Sequence, residues 1–130
     1  MPTNDMENTA STGVLRRMEK AMNDHDLDAL ADCFAEDFRS DVPVHPARSF
    51  TGRDRMRSNW AGIFANVPDL TVTVLASAVD DDHVWSEWEM RGTTVTAEQY
   101  LTRGVAILHV RDDRITSVRF YLDQVDKDEA

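Results

Sequence analysis

The segment SVRFYLDQ, residues 117–124, alternates apolar and polar residues, so as a strand it sends Val118, Phe120 and Leu122 to one side and Arg119, Tyr121 and Asp123 to the other. A carboxylate, a phenol and a guanidinium on one face suit proton exchange and charge stabilisation. Tyr121 could donate a hydrogen bond to a carbonyl oxygen, and Arg119 could hold an enolate or pair with a carboxylate. The same alternation describes a half-buried antiparallel strand whose polar face meets water in a cross-strand surface network. The segment alone leaves both readings open.

A second set lies in HVWSEWEMRGT, where alternation groups Trp85, Glu87, Glu89 and Arg91 against Val84, Ser86, Trp88 and Met90. Large apolar groups occur on both faces, which argues that neither is simply solvated: one lines a cavity and the other meets the helices' rim or a partner subunit. Glu87, between two tryptophans, is either neutralised by an arginine or kept as a poised base. Arg103 on the following strand is its expected partner, as a structural pair. His45, in PVHPAR, sits on a proline-stiffened loop where it could shuttle a proton or simply be exposed. His109 reads as core edge or pocket floor. Arg48, Arg53, Arg55 and Arg57 form a local basic cluster, either a solvated helix face or an anion clamp.

The elements that must position these residues follow from periodicity. Residues 1–12 are polar and aperiodic, a flexible arm leading into a helix capped by Ser11 or Thr12, with Val14, Leu15, Met18, Ala21 and Met22 at helical spacing. Asp26 can cap a second helix carrying Leu27, Leu30, Cys33, Phe34 and Phe38 on one stripe. Pro43 and Pro46 impose a loop. A third helix follows Gly52, with Met56, Trp60, Ile63, Phe64 and Val67 along one side before Pro68. Trp60 and Phe38 are then pocket wall or plain core. From Leu70 the period changes to alternation, giving four long antiparallel strands joined by the acidic turns DDDH and RDDR and the looser GTTVTA. Three helices followed by an antiparallel meander make an α+β layout, in which the helices cover one face of a curved sheet that curls into a cone with a mouth.

The chain of 130 residues is sized for one domain, and 14 Lys+Arg against 24 Asp+Glu give a net charge of −10. Such a charge repels phosphate backbones and anionic lipid, so neither nucleic acid nor a membrane surface is expected as partner. A single cysteine, Cys33, forms no internal disulfide, and the N-terminal stretch has neither a basic start nor an apolar run, which points to a cytoplasmic protein. The four histidines, His25, His45, His83 and His109, show no zinc-ligand spacing, so no metal is expected. Phosphate loops and nucleophile elbows are absent.

In the stretches FTGRDRMRSNWAGIFANVPDL, VWSEWEMRGT and RGVAILHVRDDRITSVRFYLD, the chain resembles the SnoaL-like family of the nuclear transport factor 2-like superfamily. The likeness spans about Gly13 to Val125, leaving an acidic tail over residues 126–130. It implies a cone-shaped curved antiparallel sheet covered by three N-terminal helices, a deep pocket, and commonly a homodimer. It also implies a small hydrophobic molecule as ligand and no cofactor. The family includes polyketide cyclases, isomerases, epoxide hydrolases and proteins without activity, so the fold does not decide whether the chain is an enzyme. By position, Asp123 matches the pocket aspartate of the cyclases and hydrolases, where burial would raise its proton affinity; Tyr121 and Arg119 would steady the oxyanion, and Trp85 and Trp60 would exclude water. The arginine that epoxide hydrolases use near Glu87 and Glu89 is missing. The first helix likewise lacks the tyrosine of the isomerases, although Asp41 lies near the place of their base. A binder that only sequesters its ligand, or a dimerising association module, would use the same cone.

Overall fold

The computed structural model describes residues 2–126, with side chains described from Ser11 onward. Helices α1 (Pro2–Asp24), α2 (Leu27–Asp32) and α3 (Arg53–Asn66) pack on a sheet of β1 (Phe34–Asp41), β2 (Phe50–Thr51), β3 (Thr71–Asp80), β4 (His83–Thr93), β5 (Gln99–Arg111) and β6 (Arg114–Gln124). The sheet order is β2-β1-β6-β5-β4-β3, antiparallel throughout except where β1 runs parallel to β6. The α+β class and the three helices stand as expected, and the meander of β3 to β6 falls on the four segments read as strands. Residues 127–130 of the acidic tail lie outside the described residues.

The sequence reading needs correction at three places. Helix α1 runs unbroken across Ser11 and Thr12, so neither caps it. Asp26 does cap α2, accepting a hydrogen bond from the Ala29 amide at 3.1 Å, but α2 stops at Asp32. Phe34 and Phe38 therefore lie on a strand, β1, and not on the helix. A spacing of four returns to the same face in a helix and in a strand alike, which is why the stripe misled. The sheet accordingly has six strands, β1 and β2 extending the β6 edge.

One face of the sheet is covered by α1 and α3, and there the core forms. Val14, Leu15, Met18, Ala21 and Met22 of α1 meet Val72, Val84, Trp88, Met90, Ala106, Leu108 and Val118 of the strands. Trp88 is 1% exposed and fills the centre of the cone. Its register partner is Gly104, whose φ is +149 and whose hypothetical Cβ would lie 2.0 Å from the Tyr121 carbonyl oxygen. Only glycine fits that close approach of two backbones. Trp88 Nε1 donates to Ser86 Oγ at 2.8 Å, and Ser86 in turn donates to the Ala106 carbonyl at 2.7 Å, so the buried polar atoms are satisfied.

The outer edge of the sheet, β3, is closed by side chains of α1. Asn23 both donates to the Val72 carbonyl and accepts from its amide, at 2.8 and 2.7 Å, and Glu19 accepts from the Val74 amide at 2.8 Å. An edge strand would otherwise offer these groups to another chain. His25, at a left-handed φ of 54, ties the helical joint to the rest: it contacts the Leu70 carbonyl at 3.0 Å and stacks on Phe64 at 4.5 Å.

Candidate functional site

Strand register sorts the candidate residues onto two faces. The helix-covered inner face carries Val72, Val74, Ser77 and Val79 of β3, Val84, Ser86, Trp88 and Met90 of β4, Thr102, Gly104, Ala106 and Leu108 of β5, and Val118, Phe120 and Leu122 of β6. None of these is charged. Phe34, Phe38 and Ser40 of β1 add a further buried, uncharged stretch. Around this core, Phe50, Trp60, Ile63, Phe64, Tyr100, Phe120 and Leu122 are only half buried, and they supply the accessible aromatic margin of the cone.

Helix α3 lies across that margin because both its ends are tied down. Gly52 donates to the Phe38 carbonyl at 2.8 Å just before it, and the Asn66 carbonyl accepts from Val95 at 2.9 Å at its end. Trp60 packs on Phe64 with ring centroids 5.6 Å apart. Phe38 is buried between Phe34 and Phe50, at 4.7 and 5.8 Å. Trp60 thus stands at the margin of the cone while Phe38 is core.

The charged residues of β3 to β6 lie on the opposite, outer face, arranged in rows. Thr73, Glu89, Arg103 and Asp123 form one row; Ala76, Glu87, Val105 and Tyr121 the next; Ala78, Trp85, Ile107 and Arg119 a third; Asp80, His83, His109 and Ser117 the last. Arg119, Tyr121 and Asp123 are together, as their alternation requires, but outward and not inward. Arg119 donates to the Tyr121 hydroxyl at 2.8 Å. The Asp123 side chain is 58% exposed and meets His45 Nε2 at 2.9 Å. Its carboxyl is held below the usual range, first by the Gln124 amide and then by His45, the reverse of the upward shift that burial would bring.

Arg103 pairs with Glu89 and not with Glu87: its Nε lies 2.9 Å from the Glu89 carboxylate, which also takes Arg91 Nε at 2.7 Å. Direct register opposition of Glu89 and Arg103 decides this, since the alternation of β4 cannot tell residues two apart. The two arginines hold the Glu89 carboxyl below its ordinary range, Arg91 first. Glu87 is exposed beside a shallow groove of about 240 Å³ lined by Ala76, Ala78, Trp85 and Val105. Trp85 is 50% exposed.

His109 belongs to a group that sequence reasoning missed. Its Nε2 lies 2.6 Å from Asp82, whose other oxygen meets His83 Nδ1 at 3.0 Å. His109 chiefly holds the Asp82 carboxyl below its usual range. Asp82 and His83 are neighbours in the sequence but His109 is remote from them, and only the pairing of His83 with His109 across β4 and β5 brings the three together.

The chain belongs to the SnoaL-like domain family, whose model matches residues 15–118. Its architecture is that of the nuclear transport factor 2-like proteins. An epoxide hydrolase of the LEH-like type from M. tuberculosis is similar at 17% identity and a TM-score of 0.76, over 88% of this chain and 84% of that one. A candidate SnoaL-like polyketide cyclase from Jannaschia Sp. CCS1 has 18% identity and a TM-score of 0.75, over 88% and 86%. A protein of ketosteroid isomerase-like fold from Catenulispora acidiphila, solved with trimethylamine, has 22% identity and a TM-score of 0.72, over 83% and 84%. No curated relative matches the chain. At these identities the likeness shows the fold and not the reaction.

Proposed function

We propose that this SnoaL-like chain is a small-molecule pocket protein that holds a small hydrophobic, carbonyl-bearing molecule at the aromatic margin of its cone, by binding and without a cofactor. The observation that carries this reading is the uncharged inner face of the sheet. Acid–base catalysis needs a titratable group beside the reacting atoms, and the sheet there offers no carboxylate or imidazole, only apolar groups, the hydroxyls of Ser40, Ser77, Ser86 and Thr102 and the phenol of Tyr100. Aromatic walls with a few hydroxyls suit retention of an apolar ligand.

A second reading, acid–base turnover, is favoured by the His45–Asp123 contact between the proline loop and the last strand. His45 would move the proton and Asp123 would orient the ring. Tyr121 and Arg119, already bonded to each other, would serve such chemistry only after turning from the outer face.

Titration with a panel of polycyclic aromatic ketones, followed by tryptophan fluorescence and by mass spectrometry after prolonged incubation, separates the two. Saturable quenching with unchanged ligand mass, lost in Trp60→Ala, supports the binder. Conversion that disappears in His45→Ala establishes the enzyme instead.

The proposal includes a homodimer packed through the outer face. Leu101 and Ile107 are buried there without joining the core, and Trp85, Val105 and Tyr121 lie beside Ile107. Among the described residues no helix is long and apolar enough to cross a membrane. A cytoplasmic place completes the reading, resting on the single, unbridged and buried Cys33.

A further inference from the structure

At the end of the sheet formed by the β3–β4 turn, His83 Nδ1 and His109 Nε2 converge on the two oxygens of Asp82, at 3.0 and 2.6 Å. The imidazole rings stack with centroids 4.8 Å apart, and the three ligand atoms all lie within 4.8 Å of one another. The Val110 amide donates to the Asp82 carbonyl at 2.8 Å, which fixes the turn against β5.

Thr116 Oγ1 contacts both the His109 carbonyl, at 3.2 Å, and His109 Nδ1, at 2.8 Å. With the hydroxyl proton on the carbonyl, Nδ1–H donates to Oγ1 and the Nε2 lone pair is turned toward Asp82, the arrangement a metal ion between them requires. With the hydroxyl proton on Nδ1 instead, Nε2–H donates to Asp82.

We propose that Asp82, His83 and His109 form a mononuclear site for a borderline first-row divalent metal such as Zn²⁺, which clips the β3–β4 turn to β5. Two imidazole nitrogens and one carboxylate oxygen are the donor set such ions take, with a fourth position left for water. Bonds of about 2.0–2.1 Å at tetrahedral angles separate ligand atoms by about 3.3 Å. His109 Nε2 and its Asp82 oxygen therefore open by less than about 1 Å, and the ligand atoms that stand farther apart, all within 4.8 Å of one another, draw in to that separation. In the tautomer that presents Nε2 to the metal, Thr116 Oγ1 accepts from His109 Nδ1–H, the role outer partners play around metal-bound histidines. Asp80 and Asp81 beside the turn add negative potential. The site is on the outer face, apart from the proposed ligand margin, so it stands independently of that reading.

The test is calorimetric titration of the untagged full chain, stripped with chelator, with ZnCl₂, alongside the visible absorption of the Co²⁺ form. One equivalent binding with micromolar or tighter Kd, intense tetrahedral-type Co²⁺ bands, and a metal-dependent rise in Tm are expected. His83 is exposed at the start of β4, so His83→Gln leaves the fold intact; with Asp82→Asn it should weaken binding by more than the about 10- to 100-fold that losing an outer partner costs, and abolish the rise in Tm. His25→Gln and His45→Gln should leave both unchanged. The absence of saturable binding, or binding that His83→Gln and Asp82→Asn leave intact, overturns the site.

Discussion

Glu89 shows how strongly one residue of the outer face is set by its neighbours. Its folded carboxyl is held below its unfolded value by Arg91 and Arg103. The ion pairs therefore contribute stability above the ordinary glutamate range, about pH 4.3, and lose it as the pH falls through the folded value. The Tm of Glu89→Gln should lie below that of the parent at pH 7. The two curves should converge as acid protonates Glu89 in the parent, and parallel curves in a thermal melt series between pH 7 and 3 would refute this. Asp123 follows the same sign: its carboxyl, lowered first by the Gln124 amide and then by His45, contributes stability that is lost as the pH falls through its folded value.

At the scale of elements, the junction of β4, β5 and β6 depends on Trp88 and Gly104. Gly104→Ala meets both a positive φ and the Tyr121 carbonyl, and should cost about 1–3 kcal/mol in denaturant unfolding, or prevent folding outright. Trp88→Ala empties the centre of the cone and removes the donor to the Ser86 hydroxyl; a loss of about 3–5 kcal/mol is expected from the same measurement. A cost under about 1 kcal/mol would show that the cone is loosely filled. The elements themselves were largely legible, because α1, α3 and β3 to β6 each repeat one period over ten or more residues. Strand β1 was not: FAEDF places two phenylalanines four apart, and Cys33 carries no glycine or proline to announce that α2 has ended.

For the whole molecule, the separation of charge between the faces has a consequence in solution. The outer face combines Trp85, Val105, Ile107 and Tyr121 with the Glu89–Arg103 pair, a mixture that suits a self-complementary interface. Sedimentation at micromolar concentration should give a dimer, and Trp85→Glu, exposed and outside the core, should give a folded monomer. An unchanged sedimentation coefficient would remove this face from the interface.

The sequence by itself determined the periods of the elements, the alternation that keeps Arg119, Tyr121 and Asp123 on one face, and the family. It did so because period and alternation are local properties of the chain. Which face looks inward is a different matter. It depends on where α1 and α3 land and on the register of β4 to β6, and these set Trp88 in the core and Asp123 in water. Register also matched Arg103 to Glu89 and drew His83, His109 and Asp82 together. A strand's side chains alternate whatever covers them, so only the packed structure could choose the side.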